Sequence, residues 1–257
     1  MNKVPYRHWI QYINLVKVND MKYGFLEKYV TFGVYEHKKW ITKQALQLPR
    51  GSKVLDVGAG TCPYRSLFSH CDYKSQDFAK LEKNILGGEY GKLDYISDIL
   101  KIPVAANSFD AILCTQVLEH APEPILVIKE FARILKPGGI LLLSAPQRSG
   151  LHQIPYHFYG GYTIYWYKKF LPEAGFDIVH LDPNGGFFKH YGEAGQQFVG
   201  LLFPNQGRRK WLRQAFLPLF VLAKMYALMQ GFICHYLDRF DEEKGMTVGY
   251  HVKAVKK

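Results

Sequence analysis

The chain has 257 residues, of which 48% are apolar, and its formal net charge is +11 at pH 7. This length accommodates one large domain, or a core domain with an elaboration, and the composition supplies a sizeable buried core. The four cysteines show no CxxC spacing. That pattern argues against a zinc site or a disulfide framework, and it fits a reducing compartment.

The positive charge is concentrated at the two ends of the chain. Residues 1–50 contain nine Lys and Arg against three Asp and Glu, residues 207–257 contain ten against four, and the stretch between them contains 14 against 15. Besides ordinary solubility, basic ends suit an anionic membrane surface or an anionic acceptor. No nucleic-acid reader motif is recognised, so a nucleic-acid partner is not expected. The N-terminus lacks the apolar stretch of a signal peptide, which predicts a cytoplasmic protein, with peripheral contact at the inner membrane face as an option.

Strand and helix patterns alternate along the first half of the chain. Residues 35–48 predict a helix, which Pro49 ends. Short strands are predicted over Lys53–Val57, Tyr73–Gln76, Ala111–Thr115 and Ile140–Ser144, of which the last is continuously apolar. The alternation predicts an α/β fold, a parallel sheet with helices on both faces. Since ligands bind beyond the carboxyl ends of such strands, the loops after the first three strands are expected to meet at one site.

An apolar insertion separates the last two predicted strands. These strands are Phe176–Leu181 and Thr247–Val255. Trp211–Leu237 is long enough to cross a membrane, but Lys224 lies near its middle, and a single crossing would not return the chain to the sheet. The insertion is therefore expected either to contact a membrane surface through residues 208–237 or to cover the acceptor pocket as a helical pair broken near Pro218. Both alternatives favour an apolar or lipid-linked acceptor.

The stretch LDVGAGTCPY places a glycine-rich loop after the first strand, with an acid before it. A dinucleotide-binding loop has three glycines in the pattern GxGxxG, but Gly58-Ala59-Gly60 is followed by Thr61-Cys62-Pro63. A pyrophosphate gains nothing from a carboxylate at Asp56, whereas a ligand that carries an ammonium group does. The loop therefore favours a ligand with an ammonium group.

Five ordered blocks extend this pattern over residues 54–146. They are VLDVGAGTCPY, YKSQDF, YISDILKIP, NSFDAILCTQVLEHAPEP and EFARILKPGGILLLSAP. In these blocks the chain resembles the class I S-adenosylmethionine (SAM)-dependent methyltransferases. It is most similar to the small-molecule, type 11-like members, such as bacterial glycan, natural-product and ubiquinone-pathway enzymes. The resemblance implies a Rossmann-like seven-stranded sheet whose last strand, Thr247–Val255, is antiparallel and lies beside Phe176–Leu181.

The sequence pattern and the resemblance together predict a division of the chain into four parts. They are an N-terminal helical cap (1–50), a SAM-binding core (51–182), an apolar and basic helical insertion (183–245) and the final core strand (246–257).

The resemblance also assigns the residues that hold SAM. Asp56 and the loop backbone would hold its amino-acid end, Asp77 would accept hydrogen bonds from both ribose hydroxyls, and Asp98 would accept one from the adenine amino group. Asp72 is the alternative to Asp77 if the second strand is shorter. The implied cofactor-binding set is Asp56, Gly58, Ala59, Gly60, Asp77, Phe78, Asp98, Ile99 and Gln116. Without a ligand, Asp77 could cap a helix, and Asp98-Ile99 could be a plain turn.

The chemistry of methyl transfer directs attention to histidines and aromatic residues. A sulfonium donor mainly requires alignment and exclusion of water, and an oxygen acceptor also needs a general base. The candidate bases are His120, His152 and His157, with His190 a weaker one. Tyr156, Tyr159 and Tyr162 are expected to contact the acceptor, the alternative being that this aromatic segment only packs as a lid. No metal is expected, because no acid cluster has the spacing of a magnesium site.

The sequence therefore predicts a SAM-dependent methyltransferase that acts on a hydroxyl of a small or lipid-linked acceptor, by in-line displacement with a histidine base. One alternative is an NAD(P)-dependent oxidoreductase, against which the missing third glycine and Asp56 argue. The other is a non-catalytic binding subunit of the same fold, against which the intact Asp56, Asp77 and Asp98 argue.

Overall fold

The computed structural model describes residues 26–205 and 209–257. Residues 1–25 of the predicted cap, and Arg208 at the start of the 208–237 segment, lie outside the described residues. The strands are β1 (Lys53–Val57), β2 (Asp72–Asp77), β3 (Tyr95–Ile96), β4 (Phe109–Thr115), β5 (Leu135–Pro146), β6 (Phe176–Pro183) and β7 (Gly249–Lys256). The helices are α1 (Glu27–Val30), α2 (Phe32–Gln47), α3 (Lys83–Leu86), α4 (Pro124–Ile134), α5 (Ile164–Glu173), α6 (Phe187–Leu202), α7 (Leu212–Ala215) and α8 (Leu217–Leu237). Short 3₁₀ turns lie at Arg65–Phe68, Leu118–His120 and Asp238–Phe240.

The seven strands form one sheet in the order β3-β2-β1-β4-β5-β7-β6. β1 is parallel to β2 and to β4, β2 is parallel to β3, and β4 is parallel to β5. β7 is antiparallel to β5, with Ile140 opposite Val255 and Pro146 opposite Gly249. This arrangement confirms the predicted Rossmann-like α/β sheet, its antiparallel last strand, and the position of that strand beside β6.

The centre of the sheet is buried on both faces, because its parallel strands carry nearly continuous apolar side chains. Successive residues of β1 point to opposite faces, so Leu55 joins one apolar cluster and Val54 joins the other. Phe131 of α4 packs in the first cluster, and Ile41 of α2 packs in the second. Asp56 follows Val54 on the second face, which places a carboxylate within an apolar layer.

Several element boundaries differ from the predicted ones. β2 ends on Asp77, whereas Asp72 starts the strand opposite Lys53, at the far edge from the loops that follow β1 and β4. This placement removes Asp72 as an alternative to Asp77. β5 begins at Leu135, directly after α4, and takes in the KPGG sequence with a register shift between Phe109 and Ala111. The two-residue strand β3 is too short to leave a pattern in the sequence.

The described residues divide into two compact units. Residues 38–182 and 249–257 form the first unit, and residues 26–37, 183–205 and 209–248 form the second. The beginning of the predicted N-terminal cap thus joins the insertion. The Gly33 N–H donates to Glu193 Oε1 (2.7 Å), and the Tyr29 ring lies 5.1 Å from that of Phe232.

The second unit contains one long apolar helix. The segment that the sequence predicted as a helical pair broken near Pro218 forms α7 and α8, with non-helical backbone at Phe216 between them. Pro218 itself occupies the first turn of α8, where a missing N–H breaks no helical hydrogen bond. Among the described residues, the segment Leu217–Phe240 has the length and apolarity to cross a membrane, with a mean hydropathy of 1.6. Only 17% of its most apolar window is buried. Helices in the cores of soluble proteins have comparable composition but are mostly buried.

Candidate functional site

The glycine loop and Asp77 meet at the carboxyl ends of β1 and β2. The Gly60 N–H donates to Asp77 Oδ2 (2.9 Å), and the Ala79 N–H donates to Asp77 Oδ1 (3.0 Å). Burial raises the pKa of Asp77, and these backbone donors oppose that shift. Each carboxylate oxygen keeps a second lone pair, so the group can still accept hydrogen bonds from a ligand diol.

Asp56 lies below the loop rather than at its surface. It is 2% exposed and accepts a hydrogen bond from the Tyr73 hydroxyl. Burial raises its pKa from an ordinary 3.8 to about 7, while the hydrogen bond from Tyr73 lowers it. The Arg65 guanidinium lies 4.6 Å from the centre of the Tyr73 ring. The geometry favours Asp56 as a support for the loop, whereas the sequence assigned it to direct ligand contact.

The loops after β1 and β4 pack against each other at Gly58. Gly58 has φ +70°, and a Cβ built there would lie 2.3 Å from Val117 Cγ2. Ala59 is buried, and Gly60 also adopts a positive φ. Gln116 is exposed, its backbone has φ +55°, and its Nε2 donates to Ser144 Oγ (3.3 Å). The predicted convergence of these loops is therefore present.

Phe78, Asp98 and Ile99 extend the same edge. Asp98 is exposed, and its Oδ1 accepts a hydrogen bond from the Leu100 N–H (2.9 Å), so the turn that the sequence allowed is formed. Ile99 packs partly buried against the main apolar cluster. The half-buried Phe78 ring contacts the Tyr156 ring edge-on, with centroids 5.0 Å apart. Tyr156 follows β5, so the aromatic segment reaches the loop after β2.

The segment between β5 and α5, residues 147–163, lies across the turn after β4. The N–H groups of Phe158 and Tyr159 donate to the Glu119 carbonyl at 2.9 and 3.2 Å. The Tyr159 hydroxyl donates to the Pro122 carbonyl (2.9 Å), and that of Tyr162 donates to the Leu118 carbonyl (2.8 Å). Tyr162 is 4% exposed and lies within the core, a position that favours packing rather than acceptor contact. Tyr159 is 38% exposed.

The three candidate bases form one cluster. The His152 ring lies 4.6 Å from that of His120 and 4.5 Å from that of His157, measured between centroids. His120 Nδ1 is 2.5 Å from the Tyr156 carbonyl, and His152 Nδ1 is 2.9 Å from the Gly150 carbonyl. A carbonyl only accepts, so each Nδ1 carries the proton and each Nε2 keeps its lone pair. His190 lies in α6 of the second unit, whereas the three clustered histidines belong to the first unit.

His157 has the opposite tautomer. Its Nε2 is 3.0 Å from Ser149 Oγ, and that hydroxyl donates to the Gly160 carbonyl (3.2 Å). The Ser149 oxygen therefore accepts from His157 Nε2–H, which leaves the His157 Nδ1 lone pair available. Burial lowers the pKa of His120 to about 3 and also lowers the pKa values of His152 and His157. All three imidazoles are neutral at physiological pH.

Two residues of this edge were missed in the sequence. Glu119 is 1% exposed, and burial raises its pKa to about 8. Its Oε1 lies 3.9 Å from His120 Nε2. The acid directly before His120 was the only available signal, and nothing in the sequence shows that it is buried. Tyr73 was treated only as part of a strand, because its contact with Asp56 depends on the pairing of β1 with β2.

Comparisons with known proteins bear on the same residues. A family described as "Methyltransferase domain" matches residues 55–143. The chain is 29% identical over 155 residues to demethylmenaquinone methyltransferase of Bacillus velezensis, which covers 54% of this chain and 66% of that protein. It is 26% identical over 235 residues to ubiquinone biosynthesis O-methyltransferase of Psychrobacter arcticus, which covers 83% of this chain and 87% of that protein. The alignments to the first two relatives span 66% and 63% of their lengths, slightly under two thirds.

A solved structure of coclaurine N-methyltransferase bound to N-methylheliamine and SAH is similar in fold. Its TM-score is 0.50 at 15% identity, over 96% of this chain and 85% of that chain. This likeness concerns the fold alone. Together with the family match, the loop geometry fits SAM as the cofactor, because small residues line the loop and a carboxylate stands beside it. The dinucleotide alternative receives no support.

Proposed function

We propose that the chain is a class I SAM-dependent methyltransferase that methylates a hydroxyl group of a small, apolar acceptor of the quinone-precursor type. The relatives named after menaquinone and ubiquinone support this acceptor class. The observation that carries the proposal is the contact of Gly60 with Asp77 at the sheet edge that also holds the histidine cluster.

SAM supplies a methyl group that its sulfonium makes ready to leave. Asp77 would accept the two ribose hydroxyls, because its oxygens lie at the loop and retain free lone pairs. Asp98 is exposed and would accept the adenine amino group, beside Ile99. The backbone of Gly58–Gly60 and the exposed Gln116 would hold the amino-acid end. Phe78 would line the ribose side of this site.

His157 is the base that the geometry supports best. Its Nε2–H is held by Ser149, so Nδ1 can take the acceptor's hydroxyl proton. His120 and His152 keep an Nε2 lone pair each and stand as its alternatives. The partly exposed rings of Tyr156 and Tyr159 would exclude water and contact the acceptor.

Ligand-induced thermal stabilisation tests the cofactor site. S-adenosylhomocysteine at saturating excess is expected to raise the free energy of unfolding by on the order of a few kcal/mol, and with it the unfolding temperature. NAD is expected to change neither. Asp77→Asn should remove most of that shift, because an amide cannot accept two hydroxyl protons through two oxygens. Asp72→Asn at the opposite end of β2 is the matched control and should keep the shift. Stabilisation by NAD alone would contradict the proposal.

We also propose that residues 208–237 contact the surface of a membrane, which would place a protein of the cytoplasm at the inner face. α8 is apolar on all sides, yet Leu222 and Met225 are 62% and 60% exposed. Arg209 and Lys210 precede it and are exposed. An open apolar cleft of about 310 Å³ beside α8 is lined by Phe187, Tyr191 and Met229, among others. Binding to lipid vesicles measures this contact.

A further inference from the structure

We propose that Glu119, His120 and His152 form a binding site for a divalent transition-metal ion, with Zn²⁺ as the best match. One potential ligand atom from each residue lies within 4.8 Å of the other two. Glu119 and His120 are adjacent in the sequence, whereas His152 comes from the segment after β5. The fold, and not the spacing, creates this site, which is why the sequence predicted no metal.

The distances are close to those of a bound ion. Zn²⁺ binds imidazole nitrogen and carboxylate oxygen at about 2.0–2.2 Å, so tetrahedral ligand atoms lie roughly 3.3–3.6 Å apart. The distance from His120 Nε2 to Glu119 Oε1 is 3.9 Å. Closing the whole triad around an ion requires movements of about 1.5 Å or less, which side-chain rotations supply.

The hydrogen bonds of the two imidazoles leave the Nε2 lone pair of each ring available for coordination. His120 and His152 each hold Nδ1–H against a backbone carbonyl, that of Tyr156 and that of Gly150. Metal-binding histidines commonly donate their second ring N–H in this way, which fixes the tautomer and directs the other nitrogen at the ion.

The buried carboxyl group is a second, independent observation. Glu119 is 1% exposed, and within the described part of the chain its Oε2 has no hydrogen-bond partner. A buried carboxyl oxygen without a hydrogen-bond partner is costly, and a cation bound to this carboxylate would satisfy it. The Tyr167 hydroxyl is likewise buried and unpartnered there. A water molecule bridging Tyr167 to Glu119 is therefore the competing occupant.

The donor set indicates the kind of ion. Two imidazoles and one carboxylate suit Zn²⁺ better than Mg²⁺, which prefers oxygen ligands and retains water. Three protein ligands leave a fourth position open, as in catalytic zinc sites. An acceptor hydroxyl at that position would lose its proton to His157, and its oxygen would form the O–CH₃ bond as the C–S bond pair passes to sulfur. This role rests on the proposed function, whereas metal binding does not.

Metal content measures the site directly. The chain is treated with a chelator, dialysed against Zn²⁺ and analysed by mass spectrometry of the metal, and Co²⁺ is substituted for its visible d–d absorption. We expect about one zinc per chain and the spectrum of a four- or five-coordinate cobalt.

The matched variants keep the shape of the site and remove one ligand atom each. His120→Asn and His152→Asn retain an amide N–H for the backbone carbonyl but lack Nε2, and Glu119→Gln retains the volume without the charge. Each should weaken zinc binding by on the order of 100-fold or more. His180→Asn, at an exposed histidine of β6, is the control and should bind as the wild type does. Circular dichroism shows which variants fold. The cobalt spectrum of the wild type tests the site even if no variant folds.

Two results would overturn the metal site. One is a wild-type chain that takes up no zinc, which assigns the buried carboxyl to water. The other is zinc binding that survives in all folded ligand variants. Stabilisation by S-adenosylhomocysteine without zinc uptake would overturn the metal site and leave the proposed function in place. Zinc uptake without stabilisation by S-adenosylhomocysteine would overturn the proposed function and leave the metal site in place.

Discussion

Asp56 shows how a residue of the site can affect stability before any ligand binds. Its side chain lies in the apolar layer under the glycine loop and holds the Tyr73 hydroxyl. Because burial disfavours the carboxylate, its pKa is raised to about 7 in the folded chain. Between about pH 4 and pH 7 the folded chain therefore keeps a proton that the unfolded chain has lost. The stability from this group is fully present below that window and is lost as the pH rises through it.

Asp56→Asn is expected to remove this pH dependence. Asparagine keeps an oxygen for the Tyr73 hydroxyl and has no proton to lose, so between pH 5 and pH 7 the variant should gain about 2 to 3 kcal/mol relative to the wild type. Urea denaturation at several pH values measures the difference, which should be constant above pH 8. Asp177→Asn, whose aspartate is 70% exposed on β6, is the control. A difference that does not change with pH would contradict the raised pKa of Asp56.

At the scale of single residues, the sequence predicts best where chemistry and chain position coincide. The family resemblance assigned Asp77 from its position at the end of the second predicted strand, and the structure puts it beside Gly60. Glu119 offers no comparable signal, because its burial depends on the segment around Phe158 folding over the turn after β4. Tyr162 was predicted to contact the acceptor, because its burial depends on the same folding of residues 147–163 over that turn.

At the scale of elements, the loops after β1 and β4 depend on each other through one contact. Gly58 adopts φ +70°, and a side chain there would overlap Val117. The turn that follows Val117 carries Glu119 and His120. A side chain at Gly58 would therefore displace Val117 and with it the turn that carries Glu119 and His120.

Gly58→Ala is expected to cost about 2 to 4 kcal/mol, the sum of left-handed backbone strain and overpacking against Val117. Gly138→Ala is the matched control. Gly138 has φ +75° but no atom within 4 Å of a built Cβ, so only the strain of about 1 kcal/mol applies. Thermal unfolding measures both, and S-adenosylhomocysteine should bind Gly58→Ala more weakly. Equal destabilisation of the two variants would show that the Val117 contact is not important.

Other features of the elements could not be predicted, because they depend on partners distant in sequence. The alternation of strands and helices sufficed to predict the parallel sheet, whereas the reversed strand β7 and its position beside β6 followed from the family resemblance. The short strand β3 is formed only because β2 offers it an edge.

At the scale of the whole molecule, apolar exposure and positive charge occur in the same part of the chain. Residues 207–257 carry ten basic and four acidic groups, and the exposed side chains of α8 lie in that range. Residues 51–206, between the two basic ends, contain 14 basic and 15 acidic groups and so have almost no net charge. An anionic lipid surface would attract the basic groups, and the apolar helix would then lie in the interface.

This combination predicts a specific salt dependence of membrane binding. Flotation with phosphatidylglycerol vesicles should recover the chain at low salt, and 0.5 M salt should reduce the recovery only in part, because screening to roughly 4 Å removes the charge contribution but not the apolar one. Replacing Leu222, Met225 and Met229 with Gln should abolish flotation at high salt and leave stabilisation by S-adenosylhomocysteine unchanged.

Replacing Leu46, Ile96 and Tyr165 with Gln removes similarly exposed apolar side chains from the first unit and should have no effect on flotation. If both triple variants floated like the wild type, α8 would not be the membrane contact; if recovery vanished entirely at 0.5 M salt, charge alone would account for the binding.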